Sequence, residues 1–233
     1  MDKISRRKAL VTGGTRGIGS AIAERLEADG VEVVRLGRAS HGTSAVGFDL
    51  SKEQELSSAC EYVREGRFDI LINNAGITAV GAIEELSSDQ MRLVQQVNAI
   101  APFELCRAAT PAMVERRWGR IVNISSVFGL VGRDNRTPYV MSKFSLNGLT
   151  AGLAAEVARF GVLVNSVCPG FIDTELTRSV LSPAEMEQLV ARVPARRLGT
   201  PVEVAAFVAW LAGPQNSFIS GQSIAIDGGF SSV

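Results

Sequence analysis

Short apolar runs alternate along the chain with amphipathic stretches, and the alternation predicts its elements. Lys8–Thr12 is an apolar run that ends in Gly13-Gly14-Thr15-Arg16-Gly17-Ile18-Gly19, after which Ala21, Ile22, Ala23 and Leu26 recur at helical spacing. This predicts strand, glycine turn, helix. Val31–Leu36 and Ala45–Phe48 predict two further strands, and the segment between them, Ala39 to Ser44, is small, polar and too short for a crossover helix, so a loop is expected there. Lys52–Glu65 predicts a helix, Asp69–Asn73 a buried strand, and Ser88–Arg116 one long helical region capped by Ser87 or Ser88. Arg120–Ile124 predicts a fifth strand, Pro138–Phe160 a helix, Val162–Val167 a sixth strand, Pro201–Leu211 a helix and Ser223–Ile226 a seventh strand. Strands that are apolar throughout and alternate with helices belong to a parallel sheet covered on both faces. The expected fold class is therefore α/β, a single doubly wound domain over residues 1–233 with a seven-stranded parallel sheet. The irregular insertion Gly170–Gly199 contains Ser182-Pro183-Ala184-Glu185, which reads as a capped helix start. It follows the carboxyl end of a strand, where open α/β sheets bind ligands, so a substrate lid is expected over 170–199.

Composition narrows the function. Lys+Arg and Asp+Glu are both 24, leaving no net field to attract nucleic acid or an anionic membrane. No apolar run reaches the roughly 18 residues of a membrane span. The basic start, Lys3 to Lys8, leads into too short an apolar stretch for a signal peptide, and a cytoplasmic protein is expected. Cys60, Cys106 and Cys168 are widely spaced in apolar or helical contexts, which suits buried thiols. His41 is the only histidine, so zinc sites and Ser-His-Asp chemistry have little to work with, and no metal is expected.

Two constellations carry chemistry. Gly13, Gly17 and Gly19 follow a strand and open a helix, the context in which glycines admit a pyrophosphate to a helix N-terminus. An NAD site would place Asp or Glu at the end of the second strand to bond the ribose 2′-hydroxyl. Here that strand ends Arg35-Leu36-Gly37-Arg38, which offers a guanidinium for a 2′-phosphate, with Arg16 in the glycine turn able to reach the same group. NADP(H) is the expected cofactor. Ser40 and His41 read as surface residues of the loop beyond. The second constellation is Tyr139-Val140-Met141-Ser142-Lys143, which puts a phenol and an ammonium on one helix face. A cation at that spacing is expected to pull the tyrosine below its ordinary pKa of about 10. Asn98 lies in helical sequence four residues before Pro102, which has no N–H to give the Asn98 carbonyl. A kink is expected there, freeing that carbonyl for a water on a proton path from Tyr139.

Thr12-Gly13-x-x-x-Gly17-x-Gly19, Asn73-Asn74-Ala75-Gly76, Asn98, Ser126, Tyr139-x-x-x-Lys143, Pro169-Gly170 and Asp227-Gly228-Gly229 stand in one order. In this the chain resembles the short-chain dehydrogenases/reductases over nearly its whole length, which implies a Rossmann fold. The resemblance implies a catalytic set of Asn98, Ser126, Tyr139 and Lys143. Ser126 is chosen over Ser125 by its thirteen-residue interval to Tyr139. It further implies NADP(H) contacts from Gly13, Thr15, Arg16, Gly17, Ile18, Gly19, Arg38, Asp49, Leu50, Asn74, Ala75, Gly76, Tyr139, Lys143, Pro169, Gly170, Ile172 and Thr174. Asp49 and Leu50 would lie near the adenine and Thr174 at the nicotinamide carboxamide. Within the family, Asn73 to Thr78, Cys168 to Thr174 and Val193 to Gly199 are most similar to 3-oxoacyl-[acyl-carrier-protein] reductases of fatty-acid synthesis. That implies a 3-oxoacyl thioester substrate, a homotetramer, and acyl carrier protein docking on Arg117 and Arg178, both expected to flank the mouth of the site. Other members of the family reduce small-molecule ketones, sugars or steroids, and a silent NADPH-binding regulator is a third alternative.

Overall fold

The computed structural model describes residues 7–38, 45–180 and 183–233. The expected loop at Ala39–Ser44, with Ser40 and His41, and the expected cap Ser182 lie outside the described residues. Seven strands, β1 (Lys8–Thr12), β2 (Glu32–Gly37), β3 (Ala45–Gly47), β4 (Ile70–Asn73), β5 (Gly119–Ile124), β6 (Val162–Pro169) and β7 (Ser223–Ile226), pair in the order 3-2-1-4-5-6-7. Every pairing is parallel. The order reverses between β1 and β4, so the loops leaving their carboxyl ends diverge and open a crevice there.

Side chains alternate across the sheet and divide the core in two. Leu10, Leu36, Leu71, Ile121, Val162 and Val164 face one way, against α2 (Glu53–Gly66), α4 (Ala101–Glu115) and α5 (Thr137–Val157). Ala9, Val11, Val33, Ile70, Ile72, Val122 and Val167 face the other, against α1 (Gly17–Ala28) and α8 (Pro201–Ala212). Strands buried on both faces are continuous apolar runs, which is why the sequence shows no alternation in them. On α5 the buried residues Lys143, Leu146, Thr150, Ala154 and Val157 recur at three- and four-residue intervals and form the inward stripe. Thr150 fastens that stripe to the sheet. Asn73 Nδ2 donates to Asn123 Oδ1 at 2.8 Å, Asn123 Nδ2 to Thr150 Oγ1 at 2.8 Å, and Thr150 and Ser166 share a hydrogen bond at 3.1 Å. All four residues are buried, so this chain sets where α5, and with it Tyr139 and Lys143, sits above β5 and β6.

The expected helix over 88–116 is two helices. α3 (Ser88–Gln95) opens with a reciprocal cap between Ser87 and Gln90 and passes into a π-helical turn, Gln96–Ile100, before α4 begins. The N–H of Ala101 bonds the carbonyl of Gln96, five residues back, and Pro102 follows at the start of α4 with no N–H of its own. The expected kink is thus a widened turn centred on Asn98. The insertion after β6 forms α6 (Glu175–Val180) and α7 (Pro183–Arg192), tied at its base by the pairing of Ile172 with Gly199. Among the described residues no helix is long and apolar enough to cross a membrane, and no group of three or more His, Cys, Asp or Glu could hold a metal ion.

Candidate active site

The loop after β1 is shaped by contacts that exclude side chains. Gly13 and Gly17 adopt φ of +62° and +55°, where only glycine is unstrained. A Cβ at Gly19 would lie 2.2 Å from the Gly13 carbonyl oxygen, so α1 begins pressed onto the turn. The turn is clamped from β4: Thr12 Oγ1 accepts from the N–H groups of Asn74 and Ala75 at 2.9 and 3.0 Å, and Asn74 Nδ2 donates to the carbonyls of Thr12 and Gly13 at 2.9 and 3.2 Å. Thr12 was not among the sequence-derived site residues, although its place between strand and glycine marks it. At the head of α1 no side chain caps the helix and no acidic residue stands in the first turn, so its first N–H groups and dipole face outward. Glycines that bring backbone together, with an uncapped helix start beside them, fit a pyrophosphate.

The other residues expected to contact the nucleotide stand beyond the carboxyl ends of β2, β3, β4 and β6 or in the glycine turn itself. Thr15 and Arg16 are exposed in it, Ile18 is half-buried on α1, and Arg38 is exposed at the end of β2. Neither Arg16 nor Arg38 makes an ion pair among the described residues. Asp49 is taken up by Ser51, whose side chain and backbone N–H hold its carboxylate below the usual range; Lys52 and Arg38 add to this. Leu50 is in the core and leaves only its backbone for a ligand. Gly170 abuts Asp227, where a Cβ would lie 2.7 Å from the Asp227 Cβ, and Ile172 is buried. Thr174 has its methyl 3.8 Å from the position of a Cβ on Gly17, so the start of the lid stands against the glycine turn.

Beyond β5, Ser126 accepts from the N–H of Phe128 at 3.1 Å and starts a short 3-10 turn. Tyr139 rises from the first turn of α5 towards it, near enough that the Ser126 hydroxyl favours the phenolate. Lys143 is buried, with Nζ 2.9 Å from the Ile124 carbonyl and 5.5 Å from the centroid of the Tyr139 ring. Burial lowers its pKa to about 8. The expectation that Lys143 drags the tyrosine down is reversed in the protein alone. Burial raises the Tyr139 pKa above its ordinary value against the opposing pull of Ser126 and Arg136. The reason is geometric: Lys143 directs its ammonium to a carbonyl and the ring, while desolvation penalises the phenolate. Asn98 uses its whole side chain as a brace. Oδ1 accepts from the Ile77 N–H at 2.9 Å, and Nδ2 donates to the Ile77 carbonyl at 2.8 Å and to Ser142 Oγ at 3.0 Å. Ser142 in turn donates to the Tyr139 carbonyl at 2.7 Å, joining the π turn, the loop after β4 and α5. Sequence reading passed over Ser142, which lies inside the Tyr139–Lys143 motif.

The two arginines assigned to the mouth do not stand there as a pair. Arg117 lies just before β5 begins and donates to the Arg159 carbonyl at 3.4 Å, so it sits at the amino edge of the sheet. Ser126 lies past the other end of that strand, whose six residues alone span about 20 Å. Arg178 is within the lid, on α6, but its fork is closed on Asp173 by two bonds of 2.7 Å. A cation that does border the site was missed. Arg136 caps α5 three residues before Tyr139 and is half-buried.

A nucleotide cradle at the reversal of the strand order, with a phenol, a hydroxyl and a buried ammonium beside it, defines a dinucleotide-dependent oxidoreductase. A family model described as "Enoyl-(Acyl carrier protein) reductase" matches residues 13–231. The chain is 40% identical to nodulation protein G of Rhizobium sp. (strain N33) over the full length of both. It is 37% identical to the 3-oxoacyl-[acyl-carrier-protein] reductase FabG of Escherichia coli (strain K12), over 95% of this chain and 96% of the relative. Among solved structures, one named as an NAD(P)-dependent gluconate 5-dehydrogenase from Beutenbergia cavernae, with bound NADP, superposes with a TM-score of 0.93 at 34% identity, covering 99% of this chain and 98% of that one. The protein belongs to the short-chain dehydrogenase/reductase family and is an NAD(P)(H)-dependent oxidoreductase acting on CH–OH and C=O groups.

Proposed function

We propose that the protein is an NADPH-dependent reductase of a ketone carbonyl. The observation that carries this reading is the meeting of the Ser126 hydroxyl and the Tyr139 phenol at the carboxyl edge of β5, with Lys143 buried beneath them. The nicotinamide, when bound, supplies the hydride. As the carbonyl oxygen gains charge, Ser126 holds it and Tyr139 gives it a proton. A tyrosine whose pKa is raised keeps that proton until the substrate demands it. Lys143 keeps a positive charge under the developing oxyanion, and Asn98 holds the loop and helix on which the others stand.

Lys143 sets a pH limit on this chemistry. Its pKa of about 8 lies below the ordinary 10.5, so the ammonium is charged below about pH 8 and loses its proton as pH rises through that value. In the free enzyme, an NMR titration of the Lys143 side chain is expected to have its midpoint near 8. The kcat/KM for reduction is expected to fall on the same alkaline limb. A midpoint above 10 would remove Lys143 as the source of the limb.

The preference for NADPH is supported by Arg16 in the glycine turn and Arg38 just past β2, both exposed, and by the lack of a carboxylate at the end of β2. For the substrate, two readings have support. Kinship with FabG, together with an edge-to-face row of Phe128, Phe171 and Phe230 at 5.9 and 5.0 Å, supports a 3-oxoacyl thioester with its acyl chain along an apolar wall. Delivery by an acyl carrier protein is supported by that kinship and not by Arg117 and Arg178, which offer no open pair at the mouth. A small keto acid is the second reading, supported by Arg136 at the head of α5 and by the likeness to a structure named for gluconate. Self-association through α4 and α5 is supported by Phe103, Met141 and Phe144, which are exposed there. NADPH oxidation with acetoacetyl-CoA and with 5-keto-D-gluconate, repeated with NADH and with Arg38→Asp, tests the assignment. NADPH is expected to lead NADH by about tenfold or more, and Arg38→Asp to erase the lead. Equal use of NADH by the wild type would contradict it.

A further inference from the structure

We infer that Arg136 selects the substrate by binding a carboxylate carried a few atoms from the ketone, the group being gripped on the same face of α5 as the Tyr139 proton donor. The inference rests on the ketone-reductase reading and narrows it to keto acids.

Arg136 and Tyr139 are the cap and third residue of α5, and residues at that spacing share one side of a helix's first turn. Across that turn the guanidinium's charge favours the Tyr139 phenolate. The site is built rather than incidental. Arg136 Nη1 donates to Thr78 Oγ1 at 3.1 Å, and the preceding Asn135 is held at φ +56° with its carbonyl accepting from the Gly81 N–H at 3.1 Å. The loops after β4 and β5 therefore fix the side chain between them. It makes no ion pair among the described residues, and its backbone cap position carries no side-chain cap bond. The nearby carboxylates are engaged elsewhere: Asp134 pairs with Arg133 at 3.3 Å, and Glu85 accepts from the Ala82 N–H at 3.1 Å. Arg133 itself leans on Phe128 at 6.0 Å and adds a second positive charge at the same rim. A half-buried guanidinium without a counter-anion has given up water and gained one neutral hydrogen bond, an arrangement that an incoming carboxylate completes with a two-pronged, charge-assisted contact. Its nearness to Tyr139 sets the spacing: an anion held there belongs to a group a few atoms from the reacting carbonyl, not to the distant phosphates of a coenzyme A thioester.

The test compares substrates matched except for the carboxylate: 4-oxopentanoate against its methyl ester, with 5-keto-D-gluconate against L-sorbose as a second pair, each with NADPH. The wild type is expected to favour the carboxylate of each pair. In Arg136→Gln the ratio of kcat/KM, carboxylate over neutral partner, is expected to fall by about 10- to 100-fold, chiefly through KM. Arg136→Lys should restore part of the ratio, because a point charge replaces the planar fork. NADPH fluorescence titration checks that each variant still binds the cofactor, and Thr78→Val, which only releases the guanidinium from its anchor, gives a smaller fall in the same ratio should Arg136→Gln not fold. A wild type that favours the neutral partners or acetoacetyl-CoA, or a ratio unmoved in both Arg136→Gln and Thr78→Val, overturns the inference while leaving ketone reduction intact. Turnover of none of these ketones, with NADPH still bound, removes the reductase reading and this inference with it.

Discussion

Tyr139→Phe is expected to retain the fold and NADPH binding and to lose about 10²- to 10⁴-fold in kcat for ketone reduction, the usual contribution of a positioned general acid. The substitution deletes one hydroxyl whose surroundings are specified on both sides. Ser126 and Arg136 both favour its ionised form, against the burial that keeps it protonated. The ring stays beside the Lys143 ammonium, so packing is preserved. The anchoring of α5 lies elsewhere, in the Asn73–Asn123–Thr150–Ser166 chain and in the bond from Ser142 to the Tyr139 carbonyl, none of which uses the phenol. A loss confined to kcat therefore separates a proton donor from a structural tyrosine. Retention of more than about a tenth of the wild-type kcat would show that another group supplies the proton.

Gly19→Val is expected to abolish measurable NADPH binding. The first carbon of any side chain there would fall 2.2 Å from the Gly13 oxygen and 2.4 Å from Asn74 Nδ2. Neither neighbour can retreat cheaply: the first is backbone in a turn held at φ +62°, and the second is bonded to the carbonyls of Thr12 and Gly13. The start of α1 must move off the turn, and the close approach of backbone that admits a pyrophosphate is lost with it. Overpacking of this kind costs about 1–3 kcal/mol, so a lowered Tm should accompany the loss of binding. Fluorescence titration of NADPH and a thermal melt check both effects, and a Kd within about threefold of wild type would show that the nucleotide lies elsewhere.

The fold was largely legible because its cues are local. β1 and β7 have the limits their apolar runs predict, Lys8–Thr12 and Ser223–Ile226, and each strand's unbroken hydrophobicity announces a sheet covered on both faces. The π turn was not legible. A one-residue widening leaves the apolar stripe through Val94, Val97 and Ala101 nearly in phase, and Pro102 marks only a missing donor. In the site, residue types and spacing were readable, whereas the balance of forces was not. The four-residue interval from Tyr139 to Lys143 places a cation by a phenol, yet the sign of the tyrosine's shift depends on burial, which spacing does not encode. Arg117 was misplaced by reading it from a motif. Its position just ahead of a parallel strand already consigns it to the amino edge, opposite the chemistry. Arg136 was missed for the converse reason: no motif contains it, although its three-residue interval to Tyr139 puts it on the reacting face.

Ketone reduction by Tyr139 and its neighbours is the central claim. Its most direct test is NADPH consumption by the wild type and by Tyr139→Phe, side by side, with 5-keto-D-gluconate and acetoacetyl-CoA. The expected result is turnover of at least one ketone by the wild type and its near-complete loss in a Tyr139→Phe protein that still binds NADPH. Equal consumption by the two proteins, or NADPH bound by both and consumed by neither, would contradict it.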